Sequence, residues 1–295
     1  MSTPLVTATI PLTATLVSPL HHGAGTSGNT QLLRTQEVVL PDGTGAVVPF
    51  VSGNSVRHAI RHALAELTLN AVGAASGTMT KPVIDLLYSG GALTASETAQ
   101  VDLATHRRLD ELWAPAGLLG YAGRGQVWSG SLYVDHLHLV CAENVWRLPD
   151  RLAEHPHTTL SAAAMRDEDF GTRHDTIGTS VDRWLDTDLW LQEPEKDRTT
   201  QMIYDWQVLR AGAVLFGTLR LAAATAAHVQ ALRTAWEWLT AAGTMHLGAK
   251  RAQGYGLCQI DADWTTLPEL NGDFVAALHQ HRDEVLTILS RAAGK

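Results

Sequence analysis

Residues His21–Arg61, HHGAGTSGNTQLLRTQEVVLPDGTGAVVPFVSGNSVRHAIR, decide how this chain is read. A Gly- and His-rich loop runs into two short apolar segments, Arg34–Leu40 and Ala46–Val51, separated by Pro41-Asp42-Gly43-Thr44-Gly45. Proline presets a turn dihedral, aspartate bonds its own backbone and glycine accepts left-handed conformations, so this is a β-hairpin. Ser52-Gly53-Asn54-Ser55 then opens a helix, with Ser52 or Asn54 as its cap. Val56, Ile60, Ala63, Leu64 and Leu67 recur along it at helical spacing and form a buried face. That leaves Arg57, His58, Arg61 and His62 toward the other side and the helix start. Gly-rich loops and helix N-termini carry free backbone N–H groups, which hold phosphates. No Asp or Glu precedes Glu37. The segment is suited to holding a polyanion and poorly equipped to cut one.

Outward from this stretch, Leu5–Val17 alternates loosely with β-branched residues and reads as a first strand. Residues from about Asn70 to Ala116 are rich in Gly, Ala and Ser, with a short charged helix around His106–Trp113. Gly120–Val140 is a Gly-rich loop feeding a strand. Met165–Thr199 holds ten acidic residues against five basic ones and reads as a protruding insertion. Met202–Leu221 alternates again and is broken at Ala211-Gly212. Ala226–Ala242 is a helix with Val229, Leu232, Trp236 and Leu239 on one face, stopped at Gly243. A basic Gly-rich loop, His246–Gly256, precedes a short strand, and Phe274–Leu289 is a closing amphipathic helix. This order fits a single α+β domain over 1–295, a ferredoxin-like sheet with insertions near 70–116 and 165–200.

The chain has 295 residues, 45% of them hydrophobic, which suffices for a substantial core. A net charge of -8 excludes a uniformly basic coat but not a local basic groove. Cys141 and Cys258 form no CxxC pair, so a thiol zinc site is excluded and a disulfide framework is not expected. The opening MSTPLVTATIPLTATLVSPL lacks a basic flank and reads as a strand rather than a signal peptide. No apolar run is long enough for a bilayer. The expectation is a soluble cytoplasmic protein with no membrane partner.

No nucleophile elbow or Walker motif occurs. His136 and His138 alternate with leucines and are expected to share one solvent-facing side; His155 and His157 flank a proline, and His279 and His281 lie in the last helix. His58 and His62 have i,i+4 spacing without the glutamate of a zinc protease. No metal centre, cofactor or catalytic residue is assigned. A histidine at His21 or His22 has two readings, a general base on a ribose 2′-hydroxyl or a phosphate contact, and binding is preferred. Gly123-Arg124-Gly125 and Gly254-Tyr255-Gly256, with Lys250-Arg251, suggest backbone approach to a phosphate chain, Tyr255 stacking or buttressing. Plain turns bearing exposed charges are the alternative. Trp184, Trp190 and Trp206 stand in or near the acidic insertion, as stacking residues or as a small local core.

Taken in order, these pieces resemble the RAMP superfamily of CRISPR-associated proteins, in the Cas seven-like branch of effector backbone subunits. The first part is Ser18-Pro19-Leu20-His21-His22-Gly23. Val48-Pro49-Phe50-Val51-Ser52-Gly53-Asn54-Ser55-Val56-Arg57 is similar to the family element I-P-G-S-S-x-K-G-x-x-R, with Arg57 and Arg61 at its basic positions. Leu118-Leu119-Gly120 with Ser131–Val140, the strand Val208–Phe216 and the loop His246–Gly256 resemble three further family elements. The resemblance implies a guide-RNA (crRNA) groove formed by His22, Arg34, Asn54, Ser55, Arg57, Arg61, Arg124, Lys250, Arg251 and Tyr255. It makes Met165–Thr199 a thumb, with Arg173 and His174 as contacts, although its acidity points partly to protein–protein contacts. The implied partners are guide RNA, target nucleic acid paired with it, further copies of the chain and other CRISPR effector subunits. Cutting members of the family carry an Asp in the loop after the first strand. Here Asn29 stands near that position, and an amide neither holds a divalent cation as a carboxylate does nor acts as a base. The resemblance therefore implies a non-cleaving subunit, type IV-like ahead of type III-like. A RAMP endoribonuclease using His21 or His22 is the enzymatic alternative, and a protein-interaction subunit that never touches RNA is the third reading.

Overall fold

The structure, a computed structural model, describes residues 5–92, 102–173, 183, 202–269 and 272–294. Strand β1 (Val6–Leu16) lies inside the main sheet, antiparallel to β12 (Val214–Ala224) on one side and β14 (Leu257–Ala262) on the other. Past β12 come β8 (Leu132–Val134) and β9 (Leu137–Leu139), then the hairpin of β5 (Gly45–Val51) and β4 (Thr35–Val39); β13 (Met245–His246) forms the far edge. Helix α1 (Gly53–Ala71) precedes β8–β9, and α5 (Ala226–Thr240) links β12 to β14. Counting β1, β8–β9, β12 and β14 as the four core strands, their spatial order is 4-1-3-2. That is the ferredoxin-like β-α-β-β-α-β arrangement.

The alternation of β1 decides which way it faces. Ile10, Leu12, Ala14 and Leu16 share a buried face with Leu215, Leu219 and Leu221 of β12. Val56, Ile60, Ala63 and Leu64 of α1 and Val229, Leu232 and Trp236 of α5 close the same core. The opposite face of the sheet is covered at one end by 3-10 turns between Ala142 and Thr159, where Leu152 and Leu148 pack on Val140, Val214 and Phe216.

Between α1 and β8 run α2 (Lys81–Ser89), α3 (Leu103–Leu112), α4 (Pro115–Leu119) and the small hairpin β6 (Tyr121–Gly123) with β7 (Gln126–Trp128). The closing amphipathic segment is two helices, α6 (Phe274–Gln280) and α7 (Arg282–Ala292), broken at His281.

A second sheet has the order β10 (Arg166–Arg173), β11 (Met202–Leu209), β3 (Thr30–Leu33), β2 (Gly23–Ser27). The expected loop His22–Gly28 is therefore largely a strand, turning into β3 at Gly28 with φ +60°. Its Gly, Ala, Thr and Ser side chains are exposed, so no hydrophobic alternation announces it. The break at Ala211-Gly212 separates two sheets, β11 in the smaller and β12 in the larger.

Candidate nucleic-acid interface

The start of α1 is the hub of the site, and its leading amides are already occupied. Ser52 N–H donates to His22 Nε2 at 3.1 Å and Gly53 N–H to His136 Nδ1 at 3.1 Å. Asn54 N–H reaches the Ser52 hydroxyl at 3.3 Å, and Ser55 N–H the Ser52 carbonyl at 2.8 Å. The expectation of free N–H groups waiting for phosphate is corrected here, because two imidazoles and a serine cap satisfy them. An imidazole accepts a bond only when neutral. Burial first, then the charges of Arg34, His21 and His136, lower the His22 pKa from 6.5 to about 4, which keeps that acceptor. His21 is buried and donates Nδ1–H to the Gln207 carbonyl at 2.7 Å. Both rings named in the enzymatic alternative are thus bonded to backbone groups.

Arg57 and Arg61 sit one helical turn apart and are half-buried, not on an outer face. Arg57 donates to the carbonyls of Leu132 and Leu119. Arg61 Nη2 donates to Leu119 at 3.3 Å and Gly120 at 2.9 Å, so both cations cap the C-terminal end of α4, where carbonyls lack helical partners. Arg61 Nη1 is buried with no hydrogen-bond partner. Burial lowers the pKa of both groups, and that of Arg61 falls to about 10 with Arg57 as the second cause. No carboxylate figures among those causes. They face a cavity of about 540 Å³ lined also by Asn54, Trp128, Tyr133 and Arg220. Arg220 itself is paired with Asp135 at 2.8 Å. Asp135 lines the same cavity but is paired with Arg220, and among the described residues no carboxylate forms an ion pair with Arg57 or Arg61; partly buried cations so placed are costly unless something anionic comes to them.

The loop Leu247–Gly256 closes on the other side of His21. Ala249 N–H donates to the His21 carbonyl at 2.8 Å and Gly256 N–H to Pro19 at 2.7 Å. At Gly256, φ is +76° and a Cβ would lie 1.9 Å from the Leu247 carbonyl oxygen, so glycine is required. Lys250 places Nζ 4.0 Å from the Trp206 ring centre and 5.6 Å from that of Tyr204, a cation–π contact. The Tyr255 hydroxyl donates to Asp169 at 2.6 Å, and its pKa is pushed up to about 12 by burial and by that carboxylate. Tyr255 therefore buttresses the loop against β10 rather than standing free for stacking. Arg251 stays exposed, its Nε on the Gly248 carbonyl at 3.2 Å.

Of the remaining expected contacts, Arg34 is exposed beside His22 with Nε on the Gly23 carbonyl at 3.3 Å. Asn54 is exposed and Ser55 half-buried on the first turn of α1. Arg124 stands elsewhere: it holds Asp102 at 3.0 Å, which also meets Arg291 at 3.7 Å. It lines a small separate pocket with Tyr121 and Trp128. His174 and the Arg173 side chain lie outside the described residues, as does most of the expected thumb, including Trp184 and Trp190. Within β10, Asp167 pairs with Arg210 at 3.2 Å, Glu168 with Gln207 at 3.3 Å and Asp169 with Tyr255, so its acidity is used partly inside the chain. Trp206 is buried, the local-core reading.

Sequence reasoning set aside His136 and His138. His136 is exposed as expected yet holds Gly53, and His138, half-buried, meets Gln36 Nε2 through Nδ1 at 3.1 Å. The signal was their alternation opposite a strand carrying Phe50.

The structure thus joins a ferredoxin-like sheet to an arginine-lined cavity beside its first helix. Residues 21–85 match the family model described as "CRISPR-associated negative auto-regulator DevR/Csa2". The whole fold is similar to that of a chain in a solved structure described as "Type IV-B CRISPR Complex", at 20% identity and a TM-score of 0.61, covering 90% of this chain and 96% of that one. No curated protein matches the sequence. Both findings fall among CRISPR-associated proteins, where the resemblance placed the chain: the family match over residues 21–85 and the likeness of fold over most of the chain.

Proposed function

We propose that the chain is a repeating backbone subunit of a CRISPR ribonucleoprotein. It holds the sugar–phosphate backbone of a guide RNA without regard to sequence, several copies lie along one guide, and the paired target is left uncut. The observation that carries this reading is the pair Arg57 and Arg61, which form no ion pair with a carboxylate among the described residues and face a cavity of about 540 Å³. Arg34 and Arg251 extend the positive surface on either side of the His21–His22 junction. Contacts from guanidinium groups to phosphate position a strand but carry no sequence information. Asn29, exposed beside the β2–β3 turn, supports the non-cleaving part, since an amide is a poor base and a poor cation ligand.

The test is to extract and size the nucleic acid that accompanies the purified protein, then add single-stranded RNA and follow assembly by size-exclusion chromatography with light scattering. RNA-dependent growth into multimers with intact RNA is expected. A protein that carries no nucleic acid and stays the same size when RNA is added overturns the reading. Cutting that survives chelation and disappears when His21 and His22 are both changed to Ala supports the endoribonuclease instead.

A further inference from the structure

Beside the arginine cavity is a row of rings on the face of the main sheet turned away from α1 and α5. Cα pairing across β5, β9 and β12 aligns Phe50, His138 and Phe216. Their neighbours Val51, Leu137 and Leu215 are fully buried in the helical core, which fixes the row on the opposite face. The 3-10 turns cover the end of this face at Val214 and Phe216. Next to them is an open groove of about 400 Å³ with His136, His138 and Phe216 on its walls and Asp135 and Thr218 at its polar rim.

The rings are held in place. His136 lies against Phe50 with ring centres 4.7 Å apart and 33° between planes, and its nitrogen is fixed by Gly53. His138 stands 5.7 Å from Phe216 and is fixed by Gln36. Burial, then Arg147 and His136, lower the His138 pKa to about 4, so it is uncharged near neutral pH. Val134 and Asp135 line both this groove and the arginine cavity, so the two are neighbours.

We infer that this groove takes one unstacked base of the bound single strand, laid on the exposed His136 ring with the His138 ring, turned 68° from it, against the base's edge, while the neighbouring phosphate sits at Arg57 and Arg61. The inference rests on the RNA-binding reading and adds a base-recognition element to it. Every base has a flat π-face, so stacking here is compatible with binding that ignores sequence. The size also suits: ligand pockets run from about 300 to 1,000 Å³.

The experiment compares wild-type protein on single-stranded RNA of one length, either with all its bases or with abasic positions spread along it. Stacking predicts that the abasic strand binds about 5- to 150-fold more weakly, with the salt dependence unchanged. His138→Ala, and His136→Asn, which keeps an acceptor for Gly53, should each shrink that ratio while leaving the salt dependence in place. The base dependence persisting in both folded variants, or equal wild-type binding of the two strands, overturns the inference and leaves the backbone-binding reading standing. Failure of wild-type protein to bind either strand overturns both.

Discussion

Acid should loosen the junction between the first strand and α1, and the effect should run through His22. Its Nε2 accepts the Ser52 N–H, which only the neutral ring can do. In the unfolded chain the ring takes up a proton near pH 6.5; in the fold it does so only near pH 4. Between these values the unfolded state binds the extra proton, so this contribution is fully present above pH 6.5 and is lost as pH falls toward 4. A fully dry ring would give about 3.4 kcal/mol over that window. His22 is only half-buried, and solvent screening reduces this to roughly 1–2 kcal/mol. The comparison is wild type against His22→Phe, which keeps a ring but has no acceptor, measured by urea unfolding every half pH unit from 7.5 to 4. The substitution should lower stability by about 1 kcal/mol at pH 7, as for one lost hydrogen bond, and the gap should close toward pH 4. Exposed carboxylates titrate equally in both proteins and cancel. A gap that stays constant from pH 7.5 to 4 would refute the neutral-histidine cap.

Gly53→Ala puts a Cβ 2.2 Å from the Val134 carbonyl oxygen and 2.7 Å from that of Asp135, both backbone atoms that cannot swing aside. A loss of about 2–3 kcal/mol in urea unfolding is expected, and an unchanged midpoint would show that α1 docks less tightly than described. Tyr255→Phe removes the bond to Asp169 and should cost about 1–2 kcal/mol of local stability. Hydrogen exchange at residues 246–256 should quicken while the helical core stays protected; unchanged loop exchange would assign the anchoring to Lys250 on Trp206 instead.

What the sequence disclosed was local. Pro41–Gly45 announced a hairpin, Ser52 a cap and Val56 to Leu64 a buried helix face, because each signal lies within a few residues of its effect. The role of Arg57 was hidden, since its carbonyl partners at Leu119 and Leu132 lie 62 and 75 residues away. An exposed-looking helical arginine gives no sign that a later loop will fold over it. His22 and His136 were obscured in the same way, each finding the start of α1 from a different strand. The His-Gly stretch hid a strand because edge residues of Gly, Ala, Thr and Ser have no buried face to display. Family resemblance supplied what spacing alone did not: that the loops at His21 and at Lys250 come together, as the bond from Ala249 to His21 shows.

The central claim is that this chain grips a single strand by its phosphates, and salt tests it most directly. Arg34, Arg57, Arg61, Lys250 and Arg251 are the cations that the proposal assigns to the strand. If each neutralises a phosphate, the logarithm of affinity for single-stranded RNA should fall against the logarithm of salt with a slope near -3.5 per protomer, at roughly 0.7 for each contact. Slopes between about -2 and -3.5, equal for RNAs of unrelated sequence, are what the account predicts. Affinity that is indifferent to salt, confined to one sequence, or absent at low salt would contradict it.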